Sequence, residues 1–220
     1  MPGFDLKAAL LKSFAETAFM SGVSLILAIV LGGFLGLMLY VTSSKLFVKN
    51  YAINQIAGVI INITRSIPFI ILLVLLLPMS RMIVHTTIGP SAVVIPLSIA
   101  AIAFFARLAD ASFSDVNYGV VEAAIASGAS KTAVILHILL PEALPSLVKN
   151  ITITAVSLIG FSAMAGTVGG GGVGDLAIRY GYQRYQVDVM IICVVLLIVL
   201  VQAVQIFGDF VANKLNKKHR

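Results

Sequence analysis

Residues 17–41 read TAFMSGVSLILAIVLGGFLGLMLYV, with no charged side chain among them. An α-helix rises about 1.5 Å per residue, so about 20 apolar residues carry it across a hydrocarbon core roughly 30 Å thick. The stretch is long enough, and it decides the class of the fold, because backbone that leaves water must satisfy its own hydrogen bonds as a helix. Further apolar runs stand at 53–78, 88–109, 151–168 and 187–208. The expected architecture is all-α and integral to a membrane, about five spans forming one domain over residues 1–220.

Composition agrees. The chain is 60% hydrophobic and only 11% charged, where a soluble domain is about a quarter charged. Lys7 and Lys12 precede the first run as they would in a signal peptide, but the run far exceeds a signal core of about 7–15 residues, so it reads as a retained helix. Cys193 is the only cysteine, which excludes an intrachain disulfide and a cysteine-rich metal site. His85, His137 and His219 are scattered, without metal-ligand spacing or a nucleophile–base pair. No catalytic residue, no metal and no cofactor of this chain's own is expected. Gly169 to Gly174 contains the spelling G-x-G-x-x-G, yet no βαβ unit surrounds it, so it reads as a tight turn or a docking surface rather than a dinucleotide site.

The net charge is +6, thickest at Lys214, Lys217, Lys218, His219 and Arg220. Beside a final apolar run, such a tail faces anionic lipid rather than nucleic acid. Placing the C-terminus inside puts Lys45, Lys49, Arg107, Lys131, Lys149, Lys214, Lys217, Lys218 and Arg220 inside, against Lys7, Lys12, Arg81, Arg179 and Arg184 outside. The excess favours an N-terminus outside and a C-terminus in the cytoplasm. In the first span, Gly32, Gly33 and Gly36 form a small-residue face for close helix approach.

Residues 110–150, between the third and fourth runs, are too polar to cross and too long for a plain connection. They hold two helical pieces. Gly128 suits the left-handed residue that ends the first, Ser130 suits the cap of the second, and Pro141 is expected to end it. Ala123, Ala124 and Ala126 beside Glu122 make a low surface, and Val134, Ile135, Ile138 and Leu139 an apolar side. A bent cytoplasmic knuckle results, shaped for a partner's groove, or else an interfacial loop helix lying on lipid.

Glu122-Ala123-Ala124, then Gly128, Ile138 and Leu140-Pro141, resembles without departure the E-A-A-x3-G-x9-I-x-L-P loop of ABC importer permeases. The resemblance implies the type I importer permease fold, with this loop as a coupling helix docked on a separate ATPase. It also implies two ATPase subunits holding ATP and magnesium, a second copy of the chain, and an extracytoplasmic substrate-binding protein. No G-x-x-x-x-G-K-[ST] occurs, consistent with ATP being handled elsewhere. Residues 65–73 (RSIPFIILL), 140–145 (LPEALP) and 160–166 (GFSAMAG) resemble the methionine-uptake subgroup, so uptake of D- and L-methionine is expected. Another amino acid, a phosphonate or a metal chelate is the alternative cargo.

Within the membrane, Arg65 stands in the second run, where a guanidinium costs about 2.5–3.5 kcal/mol on insertion scales. Arg65, Ser66 and the helix-breaking Pro68 form an interrupted helix facing a translocation path, or else Arg65 snorkels to the headgroups. Ser162 and the flexible thioether of Met164 are the other path candidates, Met164 as a gate. A gradient-driven transporter is the competing class. Such proteins commonly bury titratable groups, whereas Asp110, Asp188 and Asp209 lie near span ends. In sealed membranes of known sidedness, protease is expected to cut around Gly128 only from the cytoplasmic face; cleavage from the outer face alone would overturn the orientation.

Overall fold

Asp5 starts the first helix, its carboxylate accepting the N–H groups of Lys7 and Ala8. The computed structural model describes residues 5–216, so Lys217, Lys218, His219 and Arg220 of the basic tail lie outside the described residues. Helix α1 (Leu6–Leu27), a π-helical turn (Ala28–Gly32) and α2 (Gly33–Ser43) run as one rod of 38 residues. Met20, Ser24, Ala28, Gly32, Gly36 and Tyr40, every fourth residue, are all buried. Strict four-residue spacing runs ahead of a turn of about 3.6 residues, and the wider π turn absorbs part of the surplus.

Helices α3 (Tyr51–Ser66) and α4 (Phe69–Val84) meet at 109°. The expected second apolar run at 53–78 is therefore interrupted rather than one straight helix. Pro68 has no N–H to donate and forces Ile67 into an extended conformation, with φ −81° and ψ 124°. Helix α5 (Pro90–Ser114) follows Gly89, whose φ of +90° admits the chain to a helix opened by proline. Helices α6 (Tyr118–Ala126) and α7 (Lys131–Val134) form the bent loop. A second π turn (Ile135–Leu139) then leads into α8 (Leu140–Ala165), and Lys131–Val168 is a continuous rod of 38 residues. Helix α9 (Gly172–Leu176), a third π turn (Ala177–Tyr182) and α10 (Val187–Leu215) complete the order. Among the described residues four rods are long and apolar enough to cross a membrane, five if the bent pair is counted as one span.

Two expectations change. Pro141 does not end the second loop helix; it lies in the first turn of α8. Leu140 N–H donates to the Ile135 carbonyl, a five-residue step that shifts the register just before the proline, so no steric break is needed. The connection is also shorter than 110–150, because α5 continues to Ser114 and α8 begins at Leu140. The polar residues in those flanks satisfy one another. Arg107 pairs with Asp110 at 3.1 Å, as i, i+3 spacing suggests. Asn150 Nδ2 donates to Ser112 Oγ at 2.7 Å and to the Leu108 carbonyl at 3.1 Å, and Ser146 Oγ donates to Ser112 Oγ at 3.1 Å.

Helix α5 is the hub, packed by α1, α2, α3, α4 and α8. Of its apolar window 56% is buried, against 11% for α10, which turns Ile191, Val195, Ile198 and Val199 outward. In lipid no hydrophobic gain separates these helices from their surroundings, so close packing must hold them together. Gly32 and Gly36 allow it: a Cβ on Gly32 would stand 2.8 Å from the Ile102 carbonyl oxygen, and one on Gly36 2.6 Å from that of Ala106. Gly33, by contrast, would make only an ordinary contact with Phe105. Gly36→Ala is expected to destabilise the chain by about 1–3 kcal/mol, because backbone must move to admit the methyl. Its thermal midpoint in detergent should fall, whereas Gly58→Ala, with nothing within 4 Å, should hold or raise it.

Candidate functional site

The bent loop is a shaped solid rather than a flexible connection. Asn117 caps α6 by accepting the Gly119 N–H at 2.9 Å. At the other end Gly128, with φ +88°, donates to the Ile125 carbonyl, and Ala129 N–H reaches back to Ala124. These two bonds are the Schellman closure, which only a residue at ease with positive φ completes without strain. Ser130 then caps α7, its hydroxyl accepting the Ala133 N–H at 3.3 Å. Inside the following π turn, His137 Nδ1 donates to the Ala133 carbonyl at 3.1 Å.

Burial divides the loop into an anchor and a free surface. Val121 of α6, Val134 of α7 and Leu139 of the π turn are completely buried, in one cluster with Phe113, Val116, Ala143 and Leu147. The apolar side expected to meet a partner is thus used largely at home, with Ile135 and Ile138 half-buried beside it. What remains outside includes Tyr118, Val120, Glu122, Ala123, Ala126, Ser127, Gly128, Leu136 and Pro141. Ala124 and Leu140 are half-buried. Of the seven motif positions, Glu122, Ala123, Gly128 and Pro141 are therefore exposed, and Ala124, Ile138 and Leu140 are half-buried.

Of the path candidates, Arg65 is exposed in the last turn of α3, its Cζ 6.0 Å from the centroid of the Phe104 ring on α5. The Ser66 hydroxyl donates to the Asn62 carbonyl at 2.8 Å, and Pro68 is exposed at the break. Phe69, the next residue, stacks on Phe161 of α8 at 4.7 Å and 17°. That stack brings the break against the turn of α8 that holds Ser162. Ser162 itself is buried, donating to the Ile159 carbonyl at 2.8 Å, whereas Met164 is 50% exposed.

At the opposite end of α8 from the bend, the glycine run is a tight turn, with φ near +80° at Gly169, Gly171 and Gly172. A Cβ on Gly174 would run into Ala163, and one on Gly166 into the Asp175 nitrogen, so α9 lies directly on the end of α8. The first N–H groups of α9 need acceptors from elsewhere. Glu16 Oε2 takes that of Gly172 at 2.8 Å, and Thr17 Oγ1 that of Val173 at 2.9 Å. Cys193 is buried with Val173, Leu176 and Val189, as plain packing.

Residues 24–218 match the family described as binding-protein-dependent transport system inner membrane components. The chain belongs to that family. The permease is 43% identical over 209 residues to the probable D-methionine transport system permease protein MetI of Vibrio cholerae, covering 95% of this chain and 93% of that one. It is 40% identical to the methionine import system permease protein MetP of Bacillus subtilis, over 82% of each. Among solved structures it is similar to an inward-facing MetNI methionine ABC transporter, with a TM-score of 0.93, 40% identity and coverage of 96% and 98%. Its relatives are transport components rather than enzymes, and multi-pass residence in the inner membrane accords with its helices.

Several residues that build the permease's ends carry no motif. Glu16 and Thr17 had one available signal: a carboxylate and a hydroxyl at the threshold of a charge-free window, where only a partner explains the acid. Ser112, Ser146 and Asn150 read as loop polarity until their mutual bonds are seen.

Proposed function

We propose that this permease imports methionine, D- and L-, as the membrane-spanning half of an ATP-driven, binding-protein-dependent transporter. Two copies enclose the path on a two-fold axis, because one chain of five crossings makes only a thin wall. Each copy sits with its N-terminus outside and its C-terminus in the cytoplasm, and presents its Glu122–Pro141 bend to one of two ATPase subunits. ATP and magnesium belong to those partners. Glu122, Ala123, Ala124, Gly128, Ile138, Leu140 and Pro141 serve the docking: the exposed members make the crest, and the half-buried ones hold it at the right angle.

Closure of the ATPases on nucleotide draws the two bends together. The movement enters α8 without a joint, since α7, the π turn and α8 are one rod. ATP binding thereby biases an equilibrium between inward-open and outward-open arrangements, which is alternating access. Arg65, Ser66 and Pro68 at the break, with Met164 as a displaceable plug, border the path; Ser162 holds the neighbouring turn. A loaded binding protein delivers substrate from outside.

The observation that carries this reading is the bend itself, with Glu122, Ala123, Gly128 and Pro141 exposed on it and its underside locked by Val121, Val134 and Leu139. The names of its relatives support the cargo. A strain lacking this permease and any redundant system should lose uptake of labelled methionine and regain it on complementation; unchanged uptake would remove the substrate. Gly128→Pro forces φ to about −65° where the bend needs +88°. The variant should insert normally yet hydrolyse ATP in its complex without uptake, and normal transport by it would count against the coupling role.

A further inference from the structure

Lys131 begins α7, three positions past the Gly128 bend, and its Nζ donates to the Phe47 carbonyl oxygen at 3.1 Å, 84 positions earlier in the chain. Phe47 lies in the turn between α2 and α3, and that turn is welded in place. Asn50 N–H donates to the Thr42 carbonyl at 3.1 Å. Asn54 Nδ2 donates to the Leu39 carbonyl at 2.8 Å and to Thr42 Oγ1 at 3.1 Å. Asn50 in turn caps α3 through the Ile53 N–H at 3.1 Å. The buried Phe47 ring packs against Tyr40 at 6.0 Å, and Tyr40 against Phe113 of α5 at 6.1 Å. The carbonyl that Lys131 holds therefore cannot shift without the end of α2 and the start of α3.

The bend consequently has two outlets. One is covalent, into α8. The other is this charge-assisted bond, stronger than a neutral one, which leads into α3 and along it to Arg65 and the break at Pro68. We infer that Lys131 is a positioning residue that passes movement of the bend to α3, so that the broken crossing and α8 shift together. None of the seven motif positions makes such a link. The assignment rests on the importer reading above, and it adds a residue and a route to it.

The test uses the full permease with its ATPase and binding protein in liposomes, reading labelled methionine taken up per ATP hydrolysed. Lys131→Met should lower that ratio about fivefold, in line with single contacts modulating coupling, while ATPase activity and the yield of assembled complex hold. Lys131→Arg, which keeps a cationic donor, should restore most of it. Lys45→Met, which removes an exposed cation from the same turn as Phe47, should leave the ratio unchanged. A ratio unmoved by Lys131→Met in a working importer overturns this inference alone. Equal loss with Lys45→Met, or uptake, ATPase and assembly all falling in parallel, overturns it too. Absence of ATP-dependent uptake by the wild type overturns the importer reading, and this inference with it.

Discussion

The contact on which the rest depends is the close approach of the first rod to α5 at Gly32 and Gly36. Lipid competes for every apolar side chain, so helices gain from each other only where they fit more closely than acyl chains do. Two missing side chains bring backbone against backbone, with Ala106 and Ala109 as the facing residues. Once that seam is made, α5 stands at the centre for α1, α2, α3, α4 and α8, while α10 takes its position from α8. The π turn at Ala28–Gly32 belongs to the same constraint, since it keeps a four-residue ladder aimed at one neighbour.

Polar groups do the remaining locating, in places where burial makes a misplaced one expensive. Asn150, Ser112 and Ser146 pin α8 to α5 near the bend; Ser24 and Ser98, at 3.1 Å, pin α1 to α5 deeper in. Glu16 and Thr17 hold the glycine turn at the far end. An unsatisfied group in such surroundings costs roughly 1–3 kcal/mol, which is a strong reason for helices to settle in one register. The bent loop follows the same economy of means: completely buried valines underneath, small and polar residues on top.

Much of this was open to reading from residues alone. Apolar windows announced the crossings, and Gly128 with Ser130 announced a bend whose Schellman bonds and cap follow from conformational preference at single positions. The break at Pro68 was legible as chemistry, though a proline in the sequence does not specify its angle of 109°. Pro141 misled because a proline stops a helix of regular register, and no local signal marks the π turn that lets it continue. Lys131 was hidden for a different reason: its partner is a backbone carbonyl, and every residue offers one.

The rod Lys131–Val168 is held to α5 by Asn150, close to its midpoint. At about 1.5 Å per residue it is roughly 57 Å long. A beam pivoted at its centre swings its tips equally and in opposite directions. In the proposed importer, a displacement imposed at one membrane face would return at the other with its sense reversed, so that gaping on one side and sealing on the other would be one event.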